Sequence, residues 1–429
     1  MTHDSAARAS LFALEQIGIK LGLDQIRALV GALGHPDRAY PSIVVAGTNG
    51  KGSVTAMAER GLRAAGCRTG RYTSPHLVDL EERFAVAGEP ISPAQLDGLA
   101  ARVMEAARAL PAPPSFFEAT TAVALEAFRD ARVDVAVLEV GLGGRLDATN
   151  VVDSIAEAIT MIDFDHQQYL GGTIEAIARE KAAVIKPGSF VVLAPNPPAV
   201  DRIVAEAAEA AGARLIRAHD GVAVRAEMRD GHAWIDLRTP RGTYPDVRLG
   251  LAGRHQIENA VVAVRLLETL SDATSLQVSA AAIRAALEDV VWPARLEMRR
   301  LRGVDMLDVL VLIDGAHNAA GARALAAHVR ETFGRTLPFV VGLMSDKDAD
   351  AILGALAPVA SAFFCTAAHT PRAAAPEDVA AVAARVAPAI ETRVAADPLA
   401  AVRAASARGR PVVVAGSLYL AGEVRRETS

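Results

Sequence analysis

The chain has 429 residues, of which 51% are apolar and 22% charged, enough for two or three domains with ordinary buried cores. Alanine carries much of that apolar share and aromatics only 4%, and no uninterrupted apolar run reaches the roughly 18 residues of a membrane-spanning helix. A net charge of −5 gives no overall attraction to nucleic acid.

Met1–Ser5 shows neither the basic start nor the apolar run of a signal peptide. Cys67 and Cys365 follow no zinc spacing and read as buried small side chains in a reducing compartment, so a cytoplasmic protein is expected.

From about residue 42, short β-rich runs alternate with helical stretches. The runs are Ser42–Ala46, Asp134–Val140, Ile155–Ile162, Phe190–Ala194, Val309–Ile313, Phe339–Leu343, Ala362–Thr366 and Pro411–Ala415. Val54–Ala65 and Ala319–Phe333 show helical spacing. Such alternation predicts an α/β protein with parallel sheets covered by helices. Residues 222–250 differ, because alternation around His232–Leu237 and the break at Pro240–Gly242 predict a small antiparallel piece. The segment Trp292-Pro293-Ala294-Arg295 marks the expected domain boundary, giving 1–293 and 294–429. Pro111–Pro114 and Pro195–Pro198 read as rigid loops.

The strongest local signal is Gly47-Thr48-Asn49-Gly50-Lys51-Gly52-Ser53, which follows the run Ile43–Ala46 and precedes a helix. A strand entering a Gly-rich turn and a helix aims backbone N–H groups and a helix N-terminus at one spot, which suits phosphate. Lys51 would meet the terminal phosphates. The generic phosphate loop has Gly five residues before its second Gly and a hydroxyl directly after Lys. Those positions hold Val45 and Gly52. A plain strand-to-helix turn would leave Lys51 without a purpose.

Ligands of open α/β sheets collect beyond the carboxyl ends of strands, and three more segments place polar groups there. Arg71–Leu77 offers the Ser74 hydroxyl and the His76 imidazole. Val137–Asn150 carries Glu139 inside an apolar run, and Thr160–His166 ends in Asp165 and His166. A carboxylate in a buried strand is costly unless a cation or donor meets it. Magnesium, with few oxygen ligands shared with phosphates, fits Glu139. An arginine ion pair is the structural alternative. Ser74 alone reads as a turn residue, His166 as a buried polar one and Lys181 as a surface lysine.

The Gly47–Ser53 loop resembles the variant loop of the Mur-ligase superfamily, most closely its folylpolyglutamate synthase/dihydrofolate synthase branch. Tyr72–Leu77 resembles that family's omega loop, and Glu139–Asn150 its second signature. Gly253–Ala260, Trp292–Glu297, Leu312–Asn318 and Gly416–Tyr419 resemble further family segments in order, so the likeness covers nearly the whole chain. It implies a P-loop central domain of Mur-ligase type with a parallel sheet, plus a smaller Rossmann-like α/β C-terminal domain.

The resemblance also implies site residues. Gly47, Thr48, Asn49, Gly50, Lys51, Gly52, Ser53, Asn259, Arg295 and Asp314 would bind ATP. Ser74, Glu139 and His166 would hold magnesium, with Ser53 as a further hydroxyl candidate. Lys181, in Glu180–Lys186, would be carbamylated and help hold a second magnesium ion, although Ala183 stands where the family usually has Gly. Ala294, too, stands where Gly is more common. His317 would lie near the reacting centre. Pterin-side contacts would come from Lys20, Leu21, Gly22 and Leu23, from Phe117, Glu118, Ala119 and Thr120, and from Leu146, Asp147 and Ala148. A flat heterocycle could stack on Phe116 or Phe117.

The expected chemistry transfers the ATP γ-phosphoryl group to an acceptor carboxylate. The glutamate amine then attacks the acyl phosphate and phosphate leaves. Positioning and charge neutralisation by Lys51, Arg295 and two metal ions suffice for this, without a protein nucleophile. The resemblance implies dihydropteroate, tetrahydrofolate and L-glutamate as substrates, and a monomer. A monofunctional folylpolyglutamate synthase is the nearest alternative. A cell-wall Mur ligase would carry a separate N-terminal domain, for which the residues before the loop are too few. A phosphate-loop ATPase that only hydrolyses ATP would not need Asp314–Asn318 or a second domain.

Overall fold

The computed structural model describes residues 6–18, 20–302 and 308–428, so Met1–Ser5, read above as lacking signal-peptide features, lies outside the described residues. The chain divides into two compact units. The first runs to Val224 and takes in Asp236–Val247 and Glu258–Val290; the second comprises Arg225–Ile235, Arg248–Ile257 and the chain from Val291.

The first unit is built on eight strands: β1 (Ser42–Ala46), β2 (Thr69–Tyr72), β3 (Phe84–Val86), β4 (Glu89–Pro90), β5 (Val135–Glu139), β6 (Ser154–Ile159), β7 (Phe190–Leu193) and β8 (Arg214–Arg217). Their order is β4-β3-β2-β5-β1-β6-β7-β8. The six from β2 to β8 in that order are parallel, while β3 and β4 add antiparallel strands at one edge. Strands covered on both faces by helices read as largely apolar runs, which is why β1, β5, β7 and, despite the buried Glu157, β6 were legible. β1 is buried at every position. The chain goes from β1 to one side for β2 and crosses back to the other for β6, so the order reverses at β1 and opens a crevice at the carboxyl ends.

Helices Pro93–Arg108 and Phe116–Asp130 start at Ser92 and Ser115, each with a reciprocal capping box to Gln95 or Glu118. They enclose a core containing Val44, Tyr72, Leu96, Val123, Phe128 and Leu138. On the other side, Ile177, Val200 and Val204 from helices Ile174–Ala182 and Pro198–Ala210 pack with Ile159, Val191 and Leu193.

β9 (Ala223–Arg229), β10 (His232–Arg238) and β11 (Thr243–Arg248) form a three-stranded sheet in the order β11-β10-β9. Such short connections can join only antiparallel neighbours, as the alternating pattern predicted.

In the second unit, β12 (Glu297–Leu301), β13 (Val309–Ile313), β14 (Leu337–Val341), β15 (Ala360–Cys365), β16 (Glu391–Val394) and β17 (Val412–Ala415) lie in the order β12-β13-β17-β14-β15-β16. β12 is antiparallel to β13 and the rest are parallel. Leu312, Leu325, Phe339, Phe363 and Val413 anchor its core. This is the smaller Rossmann-like α/β unit expected. The outer strands of both sheets are short and polar: Arg214 and Arg217 are exposed on β8, and Glu391 and Arg393 on β16.

Two readings are corrected. Cys67 is half-buried, because it follows the surface turn Ala65–Gly66; Cys365 is buried, and burial pushes its thiol up to about 12. Glu139 is the last residue of β5 and not its middle, so its carboxylate reaches the carboxyl edge of the sheet. Among the described residues, no helix is long and apolar enough to cross a membrane.

Candidate active site

The Gly-rich turn sits between β1 and the helix Lys51–Ala64, whose N-terminus carries no side-chain cap. Two glycines are sterically required. A Cβ on Gly47 (φ +142°) would lie 1.9 Å from Thr160 Oγ1, and one on Gly50 (φ +93°) 2.4 Å from Asn259 Oδ1. Asn259 therefore packs directly over the turn. The main chain of Met161 clamps the turn from beside it, its carbonyl accepting from Thr48 N at 2.8 Å. The Thr48 hydroxyl donates to the Asp163 carbonyl at 3.0 Å.

Two lysines converge on one oxygen. The Gly47 carbonyl accepts from Lys51 Nζ at 3.2 Å and from Lys181 Nζ at 2.7 Å. Lys181, which reads as a surface residue of the helix Ile174–Ala182, is only 5% exposed. Burial, reinforced by the like charge of Lys51, lowers its ammonium to about 7.

At the neighbouring strand end, Ser74 N donates to Glu139 Oε2 at 3.3 Å, and Glu139 stands in register with Val45. Glu139 is 7% exposed. The Ser74 hydroxyl oxygen is buried and makes no hydrogen bond among the described residues. His166, in the left-handed conformation (φ +50°), opens the short helix Gln167–Leu170 beside Asp165. Among the described residues, no three His, Cys, Asp or Glu side chains gather as a metal cluster. A magnesium site made of one carboxylate, a hydroxyl and phosphate oxygens would form no such cluster. The orphaned Ser74 oxygen beside Glu139 fits such an ion.

The loop after β5 is fixed from two sides. Asp147 is buried and accepts from Leu142 N at 2.8 Å and from Thr149 N at 3.0 Å; burial still raises its carboxyl. A Cβ on Gly144 would lie 2.6 Å from the Glu180 carbonyl and 3.1 Å from Lys181 Cα, so only glycine lets this loop lie against the lysine-bearing helix. Gly144→Ala should destabilise the protein by roughly 1–3 kcal/mol through this overlap, measured by denaturant unfolding. An unchanged midpoint would mean that the loop yields freely.

Of the expected pterin-side residues, Phe117 packs on Tyr72 with ring centroids 6.0 Å apart, and the Tyr72 hydroxyl meets Thr120 Oγ1 at 2.9 Å. Phe116 stacks on Phe12 at 5.8 Å and carries the Arg83 guanidinium, while Phe117 lies against Tyr72 and Gly141. Glu118 turns back to cap its own helix through Ser115. Ala119 is buried in the core. Lys20 Nζ reaches the Pro113 carbonyl at 3.4 Å, Leu21 is exposed, and Leu23 packs on the core. Tyr72 and Gly144 fall inside two of the resembling segments, but their own roles, which depend on residues distant along the chain, were not read from the sequence.

In the second unit, Asp314 directly follows β13 and is buried. Its two oxygens accept from Leu296 N and Ala316 N, both at 2.9 Å. Gly315 N donates to the Ala294 carbonyl at 2.9 Å, and a Cβ on Gly315 would lie 2.4 Å from Arg295 Nη1. Arg295, Asp314 and His317 are thus brought together, with His317 Nδ1 2.8 Å from the Gly315 carbonyl. Ala294 adopts φ +54°, a left-handed conformation that explains the family's usual glycine there.

A strand, a glycine-ruled turn bearing Lys51, and carboxylate and hydroxyl groups at adjacent strand ends make a phosphate-loop nucleotide site, and the match to the Mur ligase middle domain makes this a Mur-type ligase. The Mur ligase middle domain matches residues 45–267, and the dihydrofolate synthetase C-terminal domain matches residues 297–427. The chain is 39% identical to a Mycobacterium tuberculosis dihydrofolate synthase/folylpolyglutamate synthase, over 94% of this chain and 89% of that one. An Escherichia coli structure described as in complex with DHPP and ADP aligns with TM-score 0.86 and 30% identity, covering 98% of this chain and 97% of that one. A bifunctional folylpolyglutamate synthase/dihydrofolate synthase with Mn, AMPPNP and L-glutamate bound aligns with TM-score 0.84 and 30% identity, covering 98% of both chains. The chain belongs to the dihydrofolate synthase/folylpolyglutamate synthase family.

Proposed function

We propose that this chain uses ATP to join L-glutamate to dihydropteroate, giving dihydrofolate, and to the γ-carboxylate of reduced folates. The observation that carries the reading is the Gly47–Lys51 turn, with Lys51 and Lys181 on one carbonyl and the Glu139–Ser74 pair at the next strand end. The DHPP, nucleotide and glutamate named for the two solved relatives support it.

In this reading the backbone N–H groups of the turn, with Lys51, Ser53 and Asn259, hold ATP, and the family resemblance assigns Arg295 and Asp314 of the second unit to the nucleotide as well. Lys51 and Arg295 offset the charge that spreads over the transferring phosphoryl group. Ser74, Glu139 and His166 would hold a magnesium ion, and a carbamylated Lys181 a second; bound metal would neutralise phosphate charge. The lowered ammonium of Lys181 keeps a neutral amine available for carbon dioxide near pH 7. His317, whose Nδ1 lies 2.8 Å from the Gly315 carbonyl, would orient or deprotonate the incoming amine. Phe117–Thr120, Lys20–Leu23 and Leu146–Ala148 would receive the pterin. The functional boundary is placed at 293/294, and the protein is read as a cytoplasmic monomer.

The test is phosphate release from ATP and magnesium, with and without glutamate, using dihydropteroate and tetrahydrofolate in turn. Stimulation by both acceptors, each only with glutamate, is expected. Stimulation by tetrahydrofolate alone would make the enzyme monofunctional. Release indifferent to acceptor would end the ligase reading.

A further inference from the structure

Arg83 closes the short turn Leu80–Arg83 that leads into β3. It is only 7% exposed, yet its environment supplies no counter-charge. Its Nε donates to His76 Nδ1 at 3.0 Å, and its guanidinium carbon lies 5.2 Å from the centroid of the Phe116 ring. The acids next to it in sequence are engaged elsewhere. Glu81 pairs with Arg8 at 2.8 Å, and Glu82 accepts from Leu77 N at 2.8 Å and from Val78 N and Asp79 N at 3.2 Å. Among the described residues, neither terminal nitrogen of Arg83 has a hydrogen-bond partner, and no carboxylate pairs with it.

The terminal nitrogens are not among the buried polar atoms without a partner, so they remain open to an incoming anion. Two terminal N–H faces in a fixed plane match the two oxygens of a carboxylate. The location says whose carboxylate. Arg83 acts electrostatically on the Tyr72 hydroxyl, which also feels Asp147 and bonds Thr120, while Phe117 packs on the Tyr72 ring. The guanidinium therefore shares its surroundings with two of the three segments assigned to the acceptor. The same loop begins at Ser74, against Glu139.

We propose that Arg83 is an acceptor-binding residue whose free terminal N–H pair grips a carboxylate on the arylamide arm of the folate-type substrate, with His76 and Phe116 holding the guanidinium in place. This rests on the ligase reading above and adds a specificity determinant to it. A carboxylate brings the charge and the two oxygens that a guanidinium fork matches, and a neutral ring oxygen does not, so the arm and not the pterin is the partner.

The experiment compares wild type with Arg83→Gln and Arg83→Lys. It measures KM for tetrahydrofolate, the acceptor that carries the arylamide arm, and for ATP and glutamate, and inhibition by p-aminobenzoylglutamate (the arm alone) and by pterin (the ring alone). Arg83→Gln should raise the acceptor KM by roughly 10- to 100-fold, with ATP KM within about twofold of wild type. Arg83→Lys should fall between the two. Inhibition by the arm should weaken in step with the acceptor KM, and inhibition by pterin should persist. An unchanged acceptor KM overturns the proposal. So does an equal rise in ATP KM, which would mark a purely structural loop residue, or a loss confined to pterin. If Arg83→Gln does not fold, Arg83→Lys keeps stem and charge and carries the same readouts. A wild-type protein without acceptor-dependent phosphate release would defeat the ligase reading itself, a result distinguishable from silent Arg83 variants in an active enzyme.

Discussion

Lys51→Met is expected to lower kcat by roughly 10²- to 10³-fold, the usual loss when a preorganised cationic donor is removed from a transition state. The side chain leaves the first residue of the helix that follows the Gly-rich turn and lies over the carbonyls of Gly47 and Thr48, at 3.2 and 3.0 Å. Methionine keeps the stem, so packing changes little, while the charge that would meet the γ-phosphate is gone. Phosphate release under saturating substrates measures the effect, and a melting curve checks the fold. A loss smaller than about tenfold would mean that charge neutralisation rests elsewhere.

Lys181→Met should abolish most turnover and yet stabilise the substrate-free protein. The two effects share one cause. The side chain is buried against the Gly47 carbonyl, and its ammonium is lowered from 10.5 to about 7 by burial first and by Lys51 second. The unfolded chain then binds more protons than the folded one between these values, so wild-type stability rises with pH across that interval. Below pH 7 the full penalty, on the order of 4 kcal/mol, is present. The gain from Lys181→Met should therefore be flat below pH 7, shrink as pH rises, and vanish near pH 10. Urea unfolding in carbonate-free buffer tests this. A pH-independent difference would refute the buried-amine account. Bicarbonate should add the mass of one carbon dioxide to wild type, seen by gentle mass spectrometry, and not to the variant.

What could be read in advance follows from local chemistry. β1, β5 and β13 were legible because strands sandwiched between helices are apolar throughout. β12, β16 and the two-residue β4 were not, since an edge strand carries charge and has no periodic signature. The Gly47–Lys51 turn was visible because glycine spacing is itself the constraint. The burial of Lys181 was not, because its helix reads as an ordinary amphipathic one and the covering Gly47 turn lies 134 residues earlier. Arg83 escaped for the same reason. An arginine after two glutamates suggests a local ion pair, and only the fold shows both glutamates occupied elsewhere.

The margins of the two sheets bear on how this chain behaves when crowded. An unpaired strand is a template for recruiting a neighbour's backbone. Here Pro90 denies a donor on β4, exposed arginines stand at both ends of β8, β12 presents Arg300 outward, and β16 alternates Glu391 with Arg393. A second copy approaching edge-on would have to strip water from these ions. The sheets therefore end in charge, with only Met298 on β12 and Val394 on β16 as large apolar side chains exposed among these ions.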